Sequence, residues 1–155
     1  KAGNPKVIEF NCRFGDPETQ PVMLRLESSL VLLVEAAFAK ALDKVEAQWD
    51  PRPSLGVVLA AGGYPGDYAK GDVINGLDAA AKIEGKVFHA GTALKDGKVT
   101  TNGGRVLCAT AMGSTVADAQ QQAYRLAKEV SWNGSFYRSD IGYRAIARER
   151  GEHQQ

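Results

Sequence analysis

The stretch KVFHAGTALKDGKVTTNGGRVLCATAM, residues 86–112, decides the fold. Lys86 to Leu94 reads as a strand. Asp96-Gly97 is the dipeptide a two-residue hairpin favours, because both positions must accept positive φ. Lys98 to Thr101 reads as the returning strand. Asn102-Gly103-Gly104 turns the chain again, and Arg105 to Met112 forms the next strand. Strands joined by turns this tight run antiparallel, since a parallel pair needs a crossover of a dozen residues or more.

Downstream the period changes from 2 to 3.6. Val116, Ala119, Ala123, Leu126, Ala127 and Val130 make one apolar stripe, the mark of an amphipathic helix. Thr115 is its expected cap, with Asp118 three residues on, close to a capping box. Ser139 is expected to cap a last helix from Asp140 to about Glu149, and the polar tail Gly151 to Gln155 to fray. Antiparallel strands covered by one or two helices give an α+β class.

Upstream, Ser54 to Ala61 is small, apolar and β-branched, and reads as another strand. Gly62-Gly63-Tyr64-Pro65-Gly66 follows as a loop. Its spacing is not a dinucleotide fingerprint. Nor is it a P-loop, because Lys70 is followed by Gly71 rather than Ser or Thr. A plain turn is the commoner reading than a ligand loop. Composition changes at Trp49-Asp50-Pro51-Arg52-Pro53, where two prolines favour a stiff extended linker. A boundary there divides the chain into residues 1–49 and 50–155. Before it, Asp16 and Pro17 are expected to start a short helix reaching about Leu26. Ser28 or Ser29 then caps a second, Leu30 to about Leu42. It is apolar on nearly every side and is expected to be well buried. The opening Lys1-Ala2-Gly3-Asn4-Pro5 reads as a turn.

Lys6 to Phe14 alternates with period two. Ile8, Phe10, Cys12 and Phe14 fall on one side, and Glu9, Asn11 and Arg13 on the other. A half-buried strand is expected. A carboxylate and an amide oxygen two residues apart can reach one hard cation, and Mg²⁺ prefers oxygen ligands while keeping waters and bridging to phosphate. An arginine one step on suits phosphate or carboxylate. The triplet is thus half a site for metal-assisted phosphoryl transfer. By pattern alone, a solvated strand face with an internal Glu–Arg pair is the commoner reading. The adjoining Gly15-Asp16-Pro17-Glu18-Thr19-Gln20 leads into a helix start, where backbone donors favour an anion or, instead, Asp16 and Glu18 could orient a cationic amine. A simple capped helix start is again commoner.

Composition narrows the classes further. Of 155 residues, 19 are basic and 18 acidic, a net charge of +1, so no nucleic-acid partner is expected. Glycine is in excess, 17 residues or about 11%, against a usual ~7%. No apolar run approaches the ~20 residues of a membrane span, so no membrane partner is expected. No signal-peptide pattern stands at the start. Cys12 and Cys108 lie in separate apolar runs and read as buried thiols of a reducing cytoplasm. His89, between Phe88 and Ala90, reads as a packing residue. No second ligand is spaced to help His89 or His153 hold zinc. Trp49, Trp132, Phe136 and Tyr137 read as core or interface aromatics. No G-x-S-x-G and no Ser/His/Asp set stands out.

The run Pro5 to Pro21, PKVIEFNCRFGDPETQP, closely resembles the glycinamide ribonucleotide synthetases, also called phosphoribosylamine–glycine ligases. Further matches follow in the family's order and span nearly the whole chain. They are Ser54 to Val58, Ala60 to Gly66, Gly71 to Ile74, Val87 to Thr92, Thr101 to Leu107 and Asp140 to Gly142. The resemblance implies an ATP-grasp ligase of purine biosynthesis, cytoplasmic, that joins glycine to 5-phosphoribosylamine. ATP is the co-substrate, Mg²⁺ (or Mn²⁺) the metal, and a glycyl phosphate the intermediate. It implies Glu9 and Asn11 as metal ligands, Arg13 beside the transferred phosphoryl, and Asp16 and Glu18 near the amine substrate.

For the fold, the resemblance implies the terminal strand and helices of an ATP-grasp domain over 1–49. A small antiparallel barrel-like C-terminal domain with one or two packed helices follows over 50–155. Members of the family are much longer, so the N-terminal domain and most of the ATP-grasp domain are the implied partners. The piece alone is expected to be inactive. The contrasting expectation is a non-catalytic folded module used only for interdomain packing.

Overall fold

The computed structural model describes residues 6–151. The expected turn at 1–5 and the tail beyond Gly151 lie outside the described residues. Five short strands and five helices follow in the order α1 (Thr19–Arg25), α2 (Leu30–Phe38), β1 (Ser54–Ala60), α3 (Leu77–Ala80), β2 (Lys86–His89), β3 (Thr92–Lys95), β4 (Lys98–Thr101), β5 (Arg105–Met112), α4 (Val116–Glu129) and α5 (Tyr143–Glu149). A single 3-10 turn stands at Leu42–Lys44. The class is α+β with antiparallel sheets.

The strands divide between two sheets. One has the order β1-β5-β2, both pairs antiparallel; the other is the β3-β4 hairpin. Lys86 to Leu94 is therefore not one strand. Ala90 and Gly91 break it, and the chain leaves one sheet for the other. Gly91 lies against Gly103 so closely that a β-carbon there would sit 2.6 Å from the Gly103 Cα. The hairpin turn is as expected, with Asp96 at φ 49° and Gly97 at φ 73°.

α4 covers one face of the larger sheet. Leu55, Val57 and Leu59 of β1 and Leu107, Ala109 and Ala111 of β5 point toward Ala119, Ala123, Leu126 and Ala127. Small residues on the helix let it approach the sheet closely. Thr115 caps α4 as expected, its hydroxyl accepting from the Asp118 N–H at 3.0 Å. The opposite face carries Gly56, Val58, Cys108 and Thr110, and α1 lies over part of it. A β-carbon on Gly56 would meet Cys108 Sγ at 2.9 Å and Pro21 Cγ at 3.2 Å, so glycine there lets α1 sit down. Ser54 Oγ donates to the Pro21 carbonyl at 2.7 Å and ties the two together.

Several expectations give way near the start of the chain. Residues 6–14 form no strand, and Ile8, Phe10 and Phe14 are exposed. An extended segment becomes a strand only when a neighbour takes its backbone groups, and none does among the described residues. Cys12 is exposed, whereas Cys108 is buried; both thiols are free. α1 starts at Thr19 with Glu18 at the cap position, and Asp16 does not cap it. α2 is capped by Ser29 and ends at Phe38, but it is not buried. Val31, Leu32 and Phe38 are all exposed.

At the other end α5 starts at Tyr143 after Gly142 in a left-handed conformation (φ 84°), so Ser139 is not its cap. His89 is exposed, with Nδ1 3.1 Å from Thr92 Oγ1, rather than packed inside. Of the four aromatics, Trp132 is buried and Tyr137 partly buried. Trp49 and Phe136 are half-exposed. No helix among the described residues is long and apolar enough to cross a membrane.

Candidate functional site

The five residues singled out in the sequence fall on one continuous segment, 9–18, outside the two sheets. Glu9, Asn11 and Arg13 are exposed. The Asn11 side-chain amide donates to Glu9 Oε1 at 2.9 Å, so carboxylate and amide do stand side by side. Half a rotation of that amide exchanges its nitrogen for its oxygen and would place two oxygen donors together. As a donor set for Mg²⁺ this is suitable in kind, hard oxygens from one carboxylate and one amide, and incomplete in number. Among the described residues no group of three or more His, Cys, Asp or Glu forms a further metal cluster. Arg13 Nη1 donates to the Phe14 carbonyl at 2.9 Å.

The loop that follows is held by its own backbone. Thr19 Oγ1 and the Thr19 N–H both donate to the Gly15 carbonyl, the latter at 3.1 Å. The Glu18 carboxylate folds back over Gly15, where any β-carbon would collide with it. Asp16 turns the other way. Its Oδ2 lies 3.0 Å from Arg105 Nη2, and its carbonyl accepts from Arg105 Nη1 at 3.3 Å. Arg105 was not among the residues the sequence singled out. Its partner is 89 positions away, and no local spacing announces such a contact.

Beside this contact lies an open cavity of about 490 Å³. Pro17, Val58, Tyr64, Phe136 and Ile141 supply an apolar lining, and Arg105 and Arg138 stand among them. Arg138 is engaged by Asp140 through two contacts, 2.8 and 2.7 Å. That pairing holds the Asp140 carboxyl below its ordinary range. The Gly62–Gly66 loop therefore lines a cavity through Tyr64 and Pro65, not through glycine backbone cradling a phosphate. Burial beneath α1 pushes the Cys108 thiol up, away from the thiolate form that reacts.

A family model described as "Phosphoribosylglycinamide synthetase, C domain" matches residues 54–144. The chain belongs to this family. It is 81% identical over 152 residues to the phosphoribosylamine–glycine ligase of Pseudomonas aeruginosa, covering 98% of this chain and 35% of that protein. It is 67% identical over 150 residues to the one from Vibrio cholerae, covering 97% of this chain and 35% of that protein. A crystal structure of phosphoribosylamine–glycine ligase from Thermotoga maritima superposes with a TM-score of 0.65 at 38% identity. It covers 89% of this chain and 34% of that one. The chain thus spans about a third of the length of the relatives it matches.

Proposed function

We propose that this chain is the C-terminal part of an ATP-dependent phosphoribosylamine–glycine ligase of purine biosynthesis, working in the cytoplasm. The observation that carries the reading is the 81% identity to a protein of that name over nearly the whole chain. In the reaction, a glycine carboxylate oxygen takes the γ-phosphoryl group of ATP, giving glycyl phosphate and ADP. The amine of 5-phosphoribosylamine then attacks the glycyl carbonyl. An amide bond forms, phosphate leaves, and the amine gives up a proton.

Glu9 and Asn11 would hold Mg²⁺ or Mn²⁺, completed by oxygens from the remainder of the enzyme and from the nucleotide. Bound there, the ion would neutralise charge on the phosphate oxygens. Arg13 would face the transferred phosphoryl group, where its permanent planar charge offsets the negative charge on the oxygens. Asp16 and Glu18 border the place where the amine would arrive, and a carboxylate there orients an ammonium and accepts its proton.

Residues 1–49 are read as the closing elements of an ATP-grasp domain. Residues 50–155 are read as the C-terminal domain, barrel-like in the complete enzyme. The exposed Ile8, Phe10, Val31, Leu32 and Phe38 support this division, because apolar groups at such density are normally covered.

The test uses the full-length enzyme. Glu9→Ala and Asn11→Ala should each lower turnover at least ~100-fold, the scale of losing a group that stabilises transition-state charge. Near-normal turnover at saturating Mg²⁺ would instead favour a module used only for packing between domains. The isolated 155-residue chain should release no phosphate from ATP with glycine and phosphoribosylamine.

A further inference from the structure

We infer that Arg105 is a positioning residue of the ligase site, setting the direction in which the Glu9–Glu18 segment leaves the C-terminal sheet. Among the described residues, its two contacts with Asp16 are the only hydrogen bonds or ion pairs that join residues 6–18 to anything after residue 50. The guanidinium grips the Asp16 carboxylate with one nitrogen and the Asp16 carbonyl with the other. A planar fork on two acceptors fixes orientation as well as distance.

The strand itself is built to aim this side chain. Leu59 pairs with Leu107, so an unbroken ladder would pair Ala60 with Val106. Instead Ala60 pairs with Arg105, which leaves one extra residue in β5. Such a bulge inverts the faces on one side of it. Val106 is thereby turned into the core beneath α4. Arg105 comes onto the face of Gly56, Val58 and Ala60, where Pro17 also lies. Without the extra residue, the alternation would direct Arg105 into the core and Val106 toward Asp16. The backbone around it is clamped as well. The Gly104 carbonyl accepts from Ala61 N–H and the Arg105 carbonyl from Gly91 N–H, both at 2.9 Å. A side chain on a clamped backbone therefore meets a segment that has no strand partner among the described residues.

This assignment rests on the ligase reading above, and full-length enzyme tests both. Arg105→Ala should lower kcat/KM for phosphoribosylamine roughly 10- to 100-fold, the scale of misplacing reacting groups by about an ångström. kcat should fall as well, because Glu9, Asn11 and Arg13 lie on the same segment. Asp16→Asn should cost at least as much, since it breaks the same ion pair and also takes a carboxylate from beside the amine. The double variant should lose less than the product of the two single losses, because both changes break the same Arg105–Asp16 ion pair. Arg105→Lys should recover part of the loss, since an ammonium keeps the charge but not the fork.

Wild-type kinetics for Arg105→Ala, or losses that multiply in the double variant, would overturn the assignment. So would a loss explained entirely by a lower folded fraction. If the wild-type enzyme makes no glycinamide ribonucleotide, the ligase reading fails. Coupling of Arg105→Ala and Asp16→Asn in the unfolding midpoint then decides whether the anchor exists.

Discussion

Residues 6–14 alternate apolar with polar while residues 105–112 are apolar almost throughout, and the apolar side chains of the two end in opposite conditions. In the first, Ile8 is 96% and Phe10 89% exposed. In the second, β5 is buried from Val106 through Ala111, on both faces and along both edges. The difference is not intrinsic preference, since both are rich in β-branched and aromatic or aliphatic residues. It lies in what each finds beside it. β5 has β1 on one edge, β2 on the other, α4 above and α1 below. Residues 6–14 have no neighbouring strand among the described residues. A period of two states which side chains share a face, and nothing about whether another chain segment will cover that face.

This contrast can be broken most forcefully in the core. Leu59→Ala or Leu126→Ala, each at a side chain fully enclosed between sheet and helix, should cost about 2–5 kcal/mol in urea denaturation of the chain. Gly85→Ala comes next. Its φ of 125° and a β-carbon placed 2.7 Å from the Thr110 carbonyl should cost about 1–3 kcal/mol. Thr115→Ala removes the α4 cap and should cost about 1 kcal/mol, with Thr115→Ser close to wild type.

Phe10→Ala sharpens the comparison from the other side. In the 155-residue chain it should change stability by less than ~0.5 kcal/mol, as an exposed position does. In the full-length enzyme the same change should cost several times more, and equal effects in both would show that nothing covers Phe10.

The smallest effect is one of pH. The Arg52 guanidinium, hydrogen-bonded to the Asp50 carboxylate, lowers the Asp50 pKa from its ordinary 3.8 to about 2. A depressed folded pKa means the contribution is complete above the unfolded value and lost as pH falls through the folded one. Acid titration should therefore show a small loss of stability between about pH 4 and pH 2 that Asp50→Asn removes. The pair is local and its Arg52 is exposed to solvent, so the change should be slight and should shrink with salt.

The elements written locally were readable. The Asp96-Gly97 turn, the Thr115 cap, the stripe of α4 and the strand at 105–112 depend on residues a few positions apart. The break at Ala90-Gly91 was not readable, because the reason for it is Gly103 pressing against Gly91 from another turn of the chain. The exposure of α2 and of residues 6–14 escaped for a related reason. Apolar character tells that a surface should be covered, not where its cover is encoded. At the candidate site, Glu9 and Asn11 were found together by spacing. Arg105 was missed because a bulge, which no periodicity marks, turns it toward Asp16.

The order β1-β5-β2 has one more consequence. The two outer strands do not pair with each other; the strand partner of each is β5, which follows both in the sequence, and Ala60 at the end of β1 also bridges to the later Phe136. During synthesis at the ribosome, β1 and β2 therefore emerge as edges without a centre. The larger sheet cannot assemble until residue 112 has cleared the exit tunnel. Those two segments then depend on remaining unpaired with anything else in the interval.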